Sequence, residues 1–430
     1  MRHETLPATP RPTLILACAL WLLAPSLVTA DEQSATSFRD RLEIERTLEI
    51  IAESLRNRDL DDATGDELSA IRPEITLEVE VDINDRMNAF LELEANYRTV
   101  FERGRDRGPE DDEAEFNIKA FYLEFEDVRP GLSFRLGRQE LEDQREWLYD
   151  ADLDGIRAIY ERDRLAFEIV AGRELAFKEN LLKPKPEEDK IDNYIATLSF
   201  APSEDHLLSA YTFLRDGRSG LDEDPVYVGL RARGTATDGL SYWGNVTMLR
   251  GRADGNRLRG SALDLGATYR VPGAPGVSLT LAYAYGSGDP DPSGGIDRQF
   301  RQTGLHDNTY RYNGVEDFRY YGETLDPDLS NIEIFTAGIG IRPTPRSSID
   351  LTYHRYRQNK ATDDDIPGAR IRAETNGESR DIGQGVNLIL GYHEIEDVRL
   401  RAKFGWFIPG NAFDSQDDAF SVEFGIEREF

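Results

Sequence analysis

Ala419-Phe420-Ser421-Val422-Glu423-Phe424-Gly425-Ile426-Glu427-Arg428-Glu429-Phe430 closes the chain, and its alternation decides the fold. Phe420, Val422, Phe424 and Ile426 are apolar, while Ser421, Glu423, Gly425 and Glu427 between them are polar or small. A period of two places these sets on opposite faces of one strand. The last residue is aromatic. A final strand of this kind, ending in Phe430, is how bacterial outer-membrane barrels close and are recognised by the barrel assembly machinery.

The same period runs through the chain. Ile75, Leu77, Val79, Val81 and Ile83 alternate with Glu74, Thr76, Glu78, Glu80 and Asp82. Val277, Leu279, Leu281, Tyr283 and Tyr285 alternate with small or polar residues, as do Val398, Leu400, Ala402, Phe404 and Trp406. These runs are longer than the ~5–6 residues of an average globular strand, and they match a tilted strand crossing a bilayer. About eighteen such segments are predicted, from 39–52 and 67–84 through 395–406 and 417–430. Short turns such as 83–86 and 161–164 take turns with long polar loops such as 104–113, 140–151, 174–193, 286–329 and 359–380. The expectation is all-β: a transmembrane antiparallel β-barrel of about 18 strands, with short periplasmic turns and long extracellular loops. A closed barrel pairs every backbone group within lipid, so each strand needs only one apolar face. That reconciles a mean hydropathy of −0.55 with a membrane protein.

The start of the chain fixes the compartment. Arg2 and Arg11 precede the unbroken apolar stretch Leu14–Ala24, and Val28-Thr29-Ala30 offers small residues for cleavage. Residues 1–30 therefore read as a signal peptide and 31–430 as a single barrel domain in the outer membrane. The one cysteine, Cys18, lies inside the apolar stretch, so the remainder has no thiol chemistry. After Ala30 the longest apolar run is the five residues Leu281–Tyr285, against ~20 for a membrane helix. The net charge of −30 argues against nucleic acid, whose phosphates require a basic surface.

Alternation divides the lumen by charge. Glu43, Glu45, Glu49, Glu74, Glu78, Glu80, Asp82, Glu92 and Glu94 face inward from the first three strands. Arg135, Arg157, Arg231, Arg233, Arg270, Arg399, Arg401 and Lys403 face inward from later ones. First and last strands are neighbours in a barrel, so Arg399, Arg401 and Lys403 approach the acidic wall. Two readings stay open: a lumen held by cross-wall ion pairs, or a selectivity filter. In the long loop, Arg298, Arg301, Arg311 and Arg319 are interleaved with Phe300, Tyr310, Tyr312, Phe318, Tyr320 and Tyr321. Such a mixture suits a sugar acid, since arginine pairs with carboxylates and aromatic rings cover sugars; it equally suits a loop that folds in and plugs the pore. No nucleophile elbow, dinucleotide loop or metal-spaced histidine set is present, and Asp150, Asp152 and Asp154 are as expected in so acidic a chain. No enzyme, cofactor or metal site is expected.

Leu136-Gly137-Arg138-Gln139, Glu146-Trp147-Leu148-Tyr149-Asp150 and Leu153-Asp154-Gly155-Ile156-Arg157 resemble the alginate export family of outer-membrane porins. So do Phe300–Leu305, Phe318–Glu323 with Leu325-Asp326-Pro327, and Tyr353–Arg357. The resemblance implies an eighteen-stranded barrel with an arginine-rich constriction that conducts an anionic polyuronate. It points to Arg135, Arg138, Arg157, Arg301 and Arg319; alternation adds Arg231, Arg233, Arg399, Arg401 and Lys403. The expected partners are the lipid bilayer, an anionic polysaccharide and periplasmic export components, with the barrel a monomer. The acidic wall opposes a polyanion, which keeps a general or uptake porin for small solutes as the alternative.

Overall fold

The computed structural model describes residues 41–103, 113–174, 180–182, 191–217, 223–291 and 293–430. The signal peptide expected at 1–30 and the loop at 104–112 lie outside them. No helix occurs among the described residues. The strands are β1 Leu42–Arg56, β2 Leu68–Asn84, β3 Met87–Arg103, β4 Glu113–Arg129, β5 Leu132–Glu142 and β6 Asp150–Arg162. They continue as β7 Leu165–Arg173, β8 Ile191–Ser203, β9 His206–Gly217, β10 Asp224–Thr237, β11 Leu240–Ala253 and the short β12 Asn256–Leu258. Next come β13 Ser261–Arg270, β14 Val277–Gly286, and the two-residue pieces β15 Ile296–Asp297, β16 Thr309–Tyr310 and β17 Phe318–Arg319. The last are β18 Ile332–Thr344, β19 Ser347–Gln358, β20 Asp381–Ile395, β21 Val398–Pro409 and β22 Ala419–Glu429.

Setting aside β12 and β15–β17, the strands pair antiparallel in chain order, and β22 returns to β1. Ile50↔Ile426 and Ala52↔Phe424 set the register of that closing pair. The result is the expected closed barrel of eighteen strands. Closure removes both sheet edges, so no strand exposes an unpaired ladder to lipid.

Alternation sorts the side chains as read from the sequence. Leu230, Phe121 and Leu281 are 65%, 62% and 60% exposed, and many other large apolar residues on the same face are near half-exposed. An apolar face this bare and this extensive belongs against lipid. Tight turns such as Asp85–Arg86 and Asp163–Arg164 join strands at one end, the periplasmic end of such a barrel. The opposite end carries the long connections.

Candidate functional site

Two of the long connections turn inward and pack inside the barrel. The first is the top of the β5–β6 hairpin. Pairing between β4 and β5 stops at Phe121↔Arg138, although both strands continue beyond it. The vacated edge of β4 is taken by a neighbouring loop, through Leu181 N–H to the Phe116 carbonyl at 2.8 Å. The hairpin pairs with itself up to Glu142↔Asp150 and leaves the wall. Glycines make the bend possible: Gly137 has φ +132°, and a Cβ there would lie 2.2 Å from the Phe121 carbonyl oxygen. Its partner Gly155 is equally close to the Ala171 carbonyl oxygen, at 2.3 Å.

Beyond the bend, the segment 143–149 reaches side chains across the barrel. Asp143 accepts the backbone N–H groups of Trp147 at 2.8 Å and Leu148 at 3.0 Å, and it holds Arg231 of β10. Arg145 lies 3.5 Å from Asp264 of β13. Its guanidinium also sits over the rings of Tyr320 and Trp243, at 4.0 and 4.4 Å. Burial opposes the Arg145 charge most strongly, but Asp264 and the surrounding tyrosines together more than offset it and push the guanidinium up from its ordinary value. The Trp147 indole N–H donates to the Tyr321 hydroxyl at 2.9 Å.

The second inward connection is the long loop between β14 and β18. Its two ends stay near the extracellular rim, where the Asn359 N–H donates to the Asn331 carbonyl at 2.8 Å and the Lys360 N–H to the Asn331 side-chain oxygen at 2.7 Å. Its middle descends the barrel. The Val315 N–H donates to the Ser348 hydroxyl at 3.0 Å, and Glu316 pairs with His393. Ser348 and His393 lie at the turn ends of β19 and β20, so the loop tip stands at the periplasmic mouth. Above the tip the two inward segments share an apolar core. Trp147, Leu148, Phe300, Phe318, Tyr320 and Leu329 are almost wholly buried there, together with Leu141 and Leu153 from the bent hairpin. A lumen lined only by polar side chains would be wet; this plug is packed like a globular interior.

The structure does not gather the sequence-predicted cations into one ring. Arg135 pairs with Glu124 at 2.9 Å and Arg157 with Glu168 at 2.6 Å, both on neighbouring strands. Arg138, 4% exposed, is fixed to both Asp154 oxygens at 2.9 and 3.1 Å beside the hairpin bend. Arg231 binds Asp143 and Asn245. Arg301 pairs with Asp297 in the upper part of the long loop. Arg319 holds Asp326 at 2.8 Å and Glu323 at 3.4 Å. Arg399 pairs with Glu427 and Glu429, Arg401 with Glu49 and Glu423, and Lys403 with Glu423 at 3.4 Å. The Arg401–Glu49 contact spans β22 and brings β21 to the acidic wall as alternation implied. Arg233 has no ion-pair partner among the described residues.

Two chambers remain at the periplasmic mouth, one on each side of the loop tip. One, of about 770 Å³, is lined by Arg311, Arg342, His393, Arg399, Arg401 and Lys403 with Glu316, Asp317 and Glu427. The other, of about 440 Å³, is lined by Arg233, Arg311, Trp243, Tyr310 and Tyr312 together with the acidic Glu204 and Asp205. Sequence reading missed Asp143, Arg145 and Arg342. Arg145 precedes the quoted Glu146-Trp147 block, but nothing local marks its cage, whose walls come from residues 243 and 320. Glu146, Asp150 and Asp307 bring carboxylate oxygens within 4.8 Å of one another where the two inward segments touch, the one grouping among the described residues with cation-holding geometry.

The fold is shared with solved outer-membrane proteins. OccK11 (OpdR) of Pseudomonas aeruginosa matches with a TM-score of 0.57 at 14% identity, covering 91% of this chain and 96% of that one. OccAB3 of Acinetobacter baumannii gives 0.58 at 12%, covering 90% and 99%. The outer membrane protein OprD of Pseudomonas aeruginosa gives 0.58 at 12%, covering 90% and 93%. No curated protein sequence matches this chain. The family model described as alginate export spans residues 40–426, nearly the whole chain: this outer-membrane barrel belongs to the alginate export family.

Proposed function

We propose that this barrel is a passive channel that exports an anionic exopolysaccharide, alginate or a similar polyuronate. The family match over residues 40–426 carries the reading. The basic residues of the lumen fit it chemically: guanidinium groups offset the desolvation of uronate carboxylates, and many weak contacts let a chain slide. Cations on the path are Arg135, Arg138, Arg157, Arg231, Arg233, Arg301, Arg319, Arg399, Arg401 and Lys403. Most are paired with carboxylates, so a passing polymer exchanges one carboxylate partner for another. Passage also requires the tip at 309–317 to move aside, because it stands in the mouth. The protein is a channel and not an enzyme; it works as a monomer after removal of residues 1–30, with 31–430 forming the single barrel domain. Its assembly uses the final strand ending at Phe430, and periplasmic export components deliver the polymer.

Deleting the gene tests this. Secreted uronic acid falls to background in the deletion strain and returns with the wild-type gene; unchanged secretion rejects polymer export. A second reading, a porin for small solutes, is favoured by the packed plug, which leaves chambers of a few hundred Å³ at the mouth. It predicts unaltered polymer secretion and slower growth on small acidic solutes.

A further inference from the structure

Of the ten cations on the path, nine are already held by carboxylates of this chain. A guanidinium engaged in this way takes a ligand carboxylate only by giving up or sharing its own. Three cations among the described residues that line the periplasmic mouth are freer to receive one. Arg233 has no ion pair among the described residues. Arg342 has none either; its guanidinium donates to the Pro345 carbonyl, and its buried Nε has no partner. Arg311 reaches Asp317 only at 3.6 Å, with both side chains half-exposed, a contact worth little in water.

These three are not scattered. Arg342 lines the 770 Å³ chamber, Arg233 the 440 Å³ chamber, and Arg311, on the loop tip, lines both. Of the carboxylates lining the larger chamber, Glu316 is held by His393 and Glu427 by Arg399; Glu204 and Asp205 line the smaller one with Arg233, near the turn between β8 and β9. Tyr310 and Tyr312 add aromatic walls beside Arg233. We propose that Arg233, Arg311 and Arg342 form a loading site at the periplasmic mouth that captures carboxylates of successive uronate units before the chain enters. This rests on the export reading. It places capture on a movable element, so ligand carboxylates that draw Arg311 toward either wall displace the tip from the mouth.

The test is single-channel current through the full-length barrel in a planar bilayer, with oligouronate added to one side at a time. The wild type is blocked from the periplasmic side at about tenfold lower concentration than from the outside, the scale of one charge-assisted contact. Arg233→Gln with Arg342→Gln abolishes that difference, and monomeric glucuronate does not reproduce it. Equal block from both sides, an unchanged double variant, or equal block by the monomer overturns the loading site and leaves export standing. No block by oligouronate from either side overturns both. In wild-type protein, oligouronate also protects Arg233, Arg311 and Arg342 from phenylglyoxal modification; labelling that is indifferent to oligouronate overturns the site independently of any variant.

Discussion

Asp143 ties the inward segment to the barrel wall through one carboxylate, 2% exposed and shared by the Trp147 and Leu148 N–H groups and by Arg231 of β10. Removing one partner of a buried pair strands the other charge, at a cost of about 3–5 kcal/mol. Asp143→Ala is therefore expected to release the segment 143–149 from β10, raising its amide exchange and the current noise of the open channel. Asp143→Asn, which keeps an acceptor, loses less. Equal, wild-type-like exchange in both variants contradicts this role. At this scale the sequence was partly legible. Alternation assigns Arg135, Arg157, Arg231 and Arg401 to the inner face, because a two-residue period is a local property. It did not name their partners. Arg231 meets a residue 88 positions away, and such pairings depend on how loops fold across a lumen, which leaves no local mark.

The eighteen strands were legible because lipid on one side and water on the other impose the same alternation on each. The inward elements were not. The segment 140–151 reads as an ordinary polar extracellular loop, yet Leu141 and Leu153 on its flanks lie in the plug core. The signal was present in Gly137 and Gly155, whose blocks carried the family resemblance, but their bend appears only once Phe121 and Ala171 approach them. Gly137→Ala is expected to force the hairpin back toward the wall and lower folding yield, measured by heat-modifiable migration on gels. The contact between the inward segments also predicts a pH dependence. Glu146 is pushed up to about 8 by burial, with Asp150 and Asp307 adding repulsion. Its value in the folded plug lies above the ordinary 4.5, so the folded state binds this proton more tightly. The contribution is full below pH 4.5 and is lost as pH rises through about 8. Amide exchange in 143–149, corrected for its intrinsic rate, should accelerate across that window, and Glu146→Gln should flatten the profile. A flat wild-type profile contradicts the assignment.

For the whole molecule, closure and compartment followed from periodicity, loop lengths and the final strand, and the family match agrees with them. The width of the pore did not follow. Eighteen strands enclose room for an aqueous channel, and here residues 143–149 and the described part of the loop between β14 and β18 fold into that room. Shortening the loop tip by removing 311–317 should therefore raise conductance, and an unchanged conductance means that the tip does not limit flow. On the export reading, a chain of net charge −30 conducts a polyanion by way of arginines at its mouth and on its inner wall. The reversal potential of the purified barrel under a salt gradient, before and after oligouronate, tests it most directly. Export predicts anion selectivity and a current that oligouronate blocks. Cation selectivity with no block would contradict it, and would mean that the acidic wall of β1–β3 governs a small-solute porin.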